Sequence, residues 1–259
     1  MRRIPFSDDG AVASLHDSAN ADTAAAEMRN PERRMLVDVK RNAATQEFAI
    51  TIAGRACTIV HERALITWLD EQTYLSSEER RQYGTVLWPA SIALALEIGE
   101  RASQLNERTV LELGAGVGLA GIAAAIVGAR VVQTDRDEDA LALCRENAAR
   151  NHVTTDVRRA DWTTWAETGR YDWVIASDIL YRSSLHEQLR AIFDASLAPG
   201  GTLLIADPLR SASVRFLEAM ERDGWRVRMS RWTIGEGEFA RAIGVFELRL
   251  LKHDRPRSP

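Results

Sequence analysis

Cysteine is scarce: Cys57 and Cys144 are the only two in 259 residues. Two thiols without a C-x-x-C spacing exclude a disulfide framework and a paired-thiol metal motif. Both read as apolar fillers. Histidine is also sparse, with five scattered copies and no H-E-x-x-H pair, so no metal is expected. A dominant charge is lacking too. The 33 basic and 37 acidic residues leave a net charge of −4, which excludes a general electrostatic grip on nucleic acid. No nucleic-acid partner is therefore expected. No run of 18 apolar residues occurs, so neither a spanning helix nor a membrane partner is expected. The start, Met1-Arg2-Arg3-Ile4-Pro5, leads into Asp8, Asp9 and Gly10 rather than an apolar segment. It does not read as a secretory signal, and the expected location is cytoplasmic. Lysine is nearly missing, since Lys40 and Lys252 alone stand against a large excess of arginine.

What is present is a change of pattern along the chain. Residues 1–30, rich in Ala, Ser, Asp and Asn, show no lasting apolar period and read as a mobile tail. Residues 31–83 read as a β/helical extension. Leu36 to Lys40 alternates, Phe48, Ile50 and Ile52 alternate again, and Gly54 punctuates before Cys57 to Val60. Residues 84–252 alternate strands and helices. Strands are expected at Thr109–Leu113, Arg130–Thr134, Val153–Arg159, Asp172–Ser177 and Thr202–Ala206, then twice in succession at Trp225–Trp232 and Ala240–Leu251. Helices are expected over Ile92–Ile98, Leu119–Val127, Asp137–Arg150, Ser184–Ser196 and Ser211–Asp223. That order predicts an α/β fold, a doubly wound and mostly parallel sheet closed by an antiparallel hairpin. Residues 253–259 read as a frayed tail.

The sharpest motif is Leu111-Glu112-Leu113-Gly114-Ala115-Gly116-Val117-Gly118-Leu119. An apolar strand meets glycines in G-x-G-x-G spacing and a helix follows at once. Such a loop lets a ligand lie against backbone at a helix N-terminus. A dinucleotide fingerprint needs glycine at the sixth position, where Leu119 stands. Glu112 places an acid at the strand end, which disfavours a pyrophosphate and suits the amino group and sulfonium of S-adenosylmethionine. Asp135 ends the next strand and can accept from both ribose hydroxyls, or simply start the helix turn that Asp137 shares. Asp161 and Trp162 follow the third strand. They can take the adenine amine and cover its ring, or serve as an N-cap and a core tryptophan. Ser177, Asp178 and Tyr181 end the fourth strand, facing the same crevice.

At these residues the sequence resembles the seven-strand class I S-adenosylmethionine-dependent methyltransferases. More narrowly it resembles methyltransferase family 16, rich in protein-lysine methyltransferases. The matching pieces are Val86-Leu87-Trp88-Pro89-Ala90, the glycine motif, Asp161-Trp162 and Asp178-Ile179-Leu180-Tyr181. The resemblance implies a seven-stranded Rossmann-like sheet with a small N-terminal β extension. It implies S-adenosylmethionine held by Glu112, Gly114, Gly116, Asp135 and Trp162, with Trp88 lining the pocket. Ala115 and Gly118 complete the loop. Asp178 and Tyr181 are then the catalytic pair shaping the channel for the acceptor nitrogen. Asp207-Pro208-Leu209-Arg210 resembles the D-P-x-R segment of the branch that methylates the electron-transfer flavoprotein beta subunit, which has Gly where Leu209 stands.

The expected activity is N-methyl transfer to a protein lysine, with a small-molecule amine or hydroxyl as the alternative acceptor. Asp178 is expected to bind and orient the amine rather than act as a strong base, because a carboxylate favours the ammonium. Tyr181 accepts an amine hydrogen bond or packs on the lysine stem. A nicotinamide oxidoreductase is disfavoured, since no Tyr-x-x-x-Lys pair occurs. A non-catalytic binding module stays open. Arg226 and Arg228 are expected on one face of a solvated edge strand.

Overall fold

The computed structural model describes residues 2–4, 45–62, 83–236 and 240–251. The expectations for Leu36 to Lys40 and residues 253–259 lie outside these. In chain order the strands are β1 (Arg2–Ile4), β2 (Thr45–Ile52), β3 (Arg55–Glu62), β4 (Thr109–Leu113), β5 (Arg130–Asp135), β6 (Asp156–Arg159), β7 (Tyr171–Ser177), β8 (Leu197–Asp207), β9 (Trp225–Ile234) and β10 (Arg241–Leu250). The helices are α1 (Pro89–Glu100), α2 (Ala102–Leu105), α3 (Leu119–Ile126), α4 (Glu138–Arg150), α5 (His186–Ser196) and α6 (Ser211–Arg222).

Strands β4 to β10 form the expected mostly parallel sheet, in the order β6-β5-β4-β7-β8-β10-β9, with β1 beyond β9. The last two antiparallel pairings, β8 with β10 and β10 with β9, supply the closing hairpin. Residues 2–4 correct the reading of the N-terminus as wholly mobile, because β1 pairs parallel with Trp232, Thr233 and Ile234. The same pairing covers part of β9, which is an open edge only toward its start, where Arg226 and Arg228 are exposed.

Local chemistry explains these elements. Parallel strands covered on both faces read as near-continuous apolar runs, as in Val174 to Ala176 and in Val110, Leu111 and Leu113, which Glu112 interrupts, all buried. Pro89 opens α1, where its missing N–H costs nothing. Asp137 caps α4 by accepting from the Asp139 N–H at 2.9 Å. The strand expected from Val153 begins only at Asp156, because His152 turns the chain at positive φ after α4. Two cores result. One packs α1, α3 and α4 on one sheet face, and the other packs α5 and α6 on the opposite face.

The small β2–β3 hairpin is clamped to the main domain by two asparagines four residues apart, Asn147 on α4 and Asn151 at its C-cap. Asn151 accepts from the Thr58 N–H and donates to the Thr58 carbonyl, both at 2.8 Å. Asn147 does the same for Val60, at 2.8 and 2.9 Å. The spacings match: four residues of helix rise about 6 Å, and two residues of strand about 6.6 Å. Side-chain amides thus satisfy the outer edge of β3, which would otherwise present unpaired backbone groups. Further along that edge, the Glu62 N–H donates to the Thr85 carbonyl at 2.8 Å. Asn147 also donates to the Val117 carbonyl at 2.9 Å, tying the hairpin to the glycine loop.

Asn147→Ala strands three buried backbone groups and should cost about 3 kcal/mol. The less buried Asn151→Ala should cost about 1 kcal/mol. Urea unfolding of both variants checks the order; equal losses would contradict the clamp.

Candidate active site

The chain runs outward from β4 to β5 and β6, then returns to β7 on the other side of β4. Open α/β sheets bind ligands at such a reversal, beyond the carboxyl ends of the strands. A cleft lies there, lined by the loop after β4, the ends of β5, β6 and β7, the turn after β8, and residues Tyr83 to Ser91.

Gly114, Ala115 and Gly116 line the cleft. Gly116 holds φ at +53, in the left-handed region. A Cβ there would sit 3.1 Å from the Gly84 carbonyl on the facing wall. The Gly116 N–H donates to Asp135 at 2.9 Å, and the other Asp135 oxygen accepts from the Asp137 N–H at 3.1 Å. Asp135 is thus fixed at the end of β5 with its carboxylate on the cleft. Burial raises its pKa above the ordinary value against these donors.

Asp161 caps a short 3-10 turn, accepting from the Thr163 hydroxyl at 2.7 Å and N–H at 2.8 Å. Those bonds hold its carboxyl below the usual range. It lines the cleft as well, so the cap and the ligand-facing position coexist. Trp162 closes the floor, within 3.2 Å of the Cβ position of Gly114. Ser177 is half-buried on the cleft wall. Across the cleft, Trp88 stacks on Tyr83 with centroids 5.8 Å apart, and Tyr83 stacks on Tyr181 at 6.4 Å. The Trp88 indole N–H donates to the Tyr83 carbonyl at 2.9 Å, which fixes the ladder.

Two expected loop contacts are corrected. Glu112 and Gly118 do not line the cleft. Alternation along β4 turns Glu112 toward α3, where it accepts from the Gly121 N–H at 3.0 Å and from Gln133 at 2.6 Å. Gly118 backs onto α4; a Cβ there would meet the Cys144 sulfur at 2.6 Å. Burial pushes the Glu112 carboxyl from 4.5 up to about 8. Among the described residues four other carboxylates line the cleft: Asp135, Asp137, Asp161 and Asp178. A carboxyl held up in this way stabilises the fold fully below pH 4.5 and loses that contribution as pH rises to about 8. Glu112→Gln should therefore flatten the fall in stability over that window. Identical slopes in urea melts at stepped pH would refute it.

Asp178 lies just beyond β7 at φ +54, its N–H donating to the Ala206 carbonyl at 2.8 Å. Its carboxylate is gripped by both terminal nitrogens of Arg210, the second at 3.3 Å. Arg210 comes from the turn after β8, where its own N–H donates to buried Asp207 at 3.0 Å. Tyr181 flanks the pair, and burial raises its phenol pKa. The sequence marked Asp178 and Tyr181 but not Tyr83, Arg182 or Arg210 as cleft residues. Only the D-P-L-R segment hinted at Arg210. Cys57 and Cys144 are buried and free, as expected of fillers. Among the described residues no cluster of His, Cys, Asp or Glu is arranged to hold a metal.

A family model described as lysine methyltransferase matches residues 69–223, well over half of the chain. The chain belongs to the lysine methyltransferase family. It is 29% identical over 211 residues to the ribosomal protein L11 methyltransferase of Sorangium cellulosum, covering 77% of this chain and 65% of that protein. It is 33% identical over 144 residues to the protein N-lysine methyltransferase METTL21A of Xenopus tropicalis, covering 52% of this chain and 66% of that one. The chain thus spans just under two thirds of the length of these relatives. The T. thermophilus 16S rRNA N2 methyltransferase RsmC, solved with AdoMet and guanosine, shares the fold. Its TM-score is 0.57 at 19% identity, covering 81% of this chain and 52% of that one. This member of the lysine methyltransferase family therefore keeps the expected Rossmann-like architecture. No helix among its described residues is long and apolar enough to cross a membrane.

Proposed function

We propose that this protein transfers a methyl group from S-adenosylmethionine to a protein lysine. One juxtaposition carries the reading: the glycine loop with Asp135 and Trp162 meets Asp178 and Tyr181 across one cleft, in a chain of the lysine methyltransferase family. The donor fits this cleft. Asp135 offers a fixed carboxylate for ribose hydroxyls, and Trp162 a flat apolar wall for the adenine. Asp161 has an oxygen beyond the one used in its cap, free to take the exocyclic amine. The cradle at Gly116 would be filled by any Cβ. Trp88, stacked on Tyr83, lines the methionine end.

When bound, the donor supplies a methyl group on a sulfonium whose C–S electron pair stays with sulfur as the methyl leaves. The chain's own task is to place and dry the acceptor. Asp178 anchors the amine, and the Tyr83–Tyr181 stack lines the path of the lysine stem. We further infer that residues 84–252 are the catalytic unit and residues 31–83 an extension, whose β2–β3 hairpin is clamped to that unit. Its two free thiols suit a reducing, cytoplasmic setting.

The test is incubation with radiolabelled S-adenosylmethionine and a lysate of the source, split into protein, RNA and small-molecule fractions. Label on lysine in the protein fraction is the expected result. Label confined to small molecules or to RNA would replace the acceptor, and none anywhere would reject transfer.

A further inference from the structure

Arg210 pairs with Asp178, the carboxylate proposed above to anchor the acceptor amine. A guanidinium fork covers the carboxylate that has to receive a cationic side chain. The two side chains are 20% and 12% exposed, so the pair is shielded but reachable from the cleft. The pairing is built by the backbone. Leu209 stands at φ +65 and Asp178 at φ +54, both non-glycine residues in the left-handed region. Such positions persist only where the surroundings over-determine them, and they cluster at functional sites. Here the Asp178 N–H is held by the Ala206 carbonyl. Arg210 is held by Asp207, which accepts its N–H at 3.0 Å and the Ser213 hydroxyl at 2.7 Å. The guanidinium also lies 3.9 Å from Asp207.

The chemistry gives this arrangement a use. A lysine amine attacks only through a lone pair, and its ordinary pKa is about 10.4. A lone carboxylate would bind the ammonium well and raise that pKa further, opposing reaction. A neighbouring guanidinium pulls the other way, offsetting the carboxylate's hold on the proton.

We propose that Arg210 is a positioning residue that lets Asp178 hold the acceptor amine while offsetting the field that would keep it protonated. This rests on the lysine acceptor proposed above. The proton goes to bulk water before the nitrogen attacks. Among the described residues, the other charged or titratable groups at this end are Tyr83 before α1, Tyr181 and Arg182 after β7, Asp207 at the end of β8, Asp135 at the end of β5 with Arg136 and Asp137 after it, and Asp161 after β6. Among the described residues four cleft-lining carboxylates face three guanidiniums, so removing Arg210 shifts the balance toward the ammonium.

The experiment measures the saturated transfer rate from about pH 6.5 to about pH 10. Tritiated S-adenosylmethionine and lysate protein serve as substrates, and the strongest labelled band is followed. Arg210→Gln should move the rising limb to higher pH by about one unit. Its rate at pH 7 should fall roughly tenfold, with the alkaline plateau retained and the acceptor KM no higher than native. Arg210→Lys, which keeps the charge but loses the fork, should lie between. Cofactor affinity by calorimetry should be unchanged in both, and if the Gln variant does not fold, the Lys variant carries the comparison. An equal loss at every pH, or a loss through raised KM alone, would overturn the role. No labelled lysine with the native protein at any pH would instead remove the acceptor reading, and this proposal with it.

Discussion

Gly116→Arg yields a folded chain whose affinity for S-adenosylmethionine falls by at least about 100-fold. Two separate costs add. A side chain at φ +53 strains the backbone by roughly 1–2 kcal/mol. The new Cβ then stands 3.1 Å from the Gly84 carbonyl, so the loop or the facing wall must shift. Either shift pulls the Gly116 N–H away from Asp135, which is where the ribose is expected to lie. The long cationic side chain must then run along the cleft itself. Gly116→Ala separates the two effects, since it brings the strain without the bulk and should cost about tenfold. Titration calorimetry reads both, with circular dichroism confirming the fold. Native affinity in the Arg variant would displace the cofactor from this cleft.

Asp178→Asn abolishes most turnover and leaves cofactor affinity close to native. We expect a rate loss of about 100-fold or more, the scale seen when one oriented electrostatic partner is removed from a closed site. The variant is close in shape, and asparagine tolerates positive φ, so the turn after β7 should survive. What it loses is the charge that balances Arg210 and attracts the amine. The released guanidinium then faces the incoming acceptor directly and repels it. Because Asp178 sits across the cleft from Asp135, the donor's adenosine end should be untouched. Single-turnover transfer and calorimetry measured side by side check both halves. Equal turnover in variant and native protein would remove Asp178 from the reaction.

The strand, loop and helix around Gly114 were legible because their signals are local. An apolar run, glycines at fixed spacing and a second apolar run leave few alternatives. The direction of Glu112 was open to reading but missed. In a strand side chains alternate, so Glu112 shares a face with Val110, not with Leu111 and Leu113. That face belongs to α3, where the Gly121 N–H and Gln133 receive it. Tyr83 was missed for a different reason. It lies at the seam between the extension and the sheet, where no period marks a side chain as cleft-facing. Asp161 shows a third case, since the cap and the ligand-facing reading were set against each other, and the structure shows the cap in a residue that also lines the cleft.

The residues alone determined the order of strands and helices from β4 onward and the edge at which the cleft opens. They also determined most of the side chains ringing that place, because these follow from periodicity and from what must end each strand. Three features were decided by tertiary structure: the clamp of Asn147 and Asn151 on β3, the Trp88–Tyr83–Tyr181 ladder and the Asp178–Arg210 pair. Each joins segments far apart in the chain. Their partners are chosen by distance and dihedral angle once the sheet has closed, and spacing along a sequence carries neither.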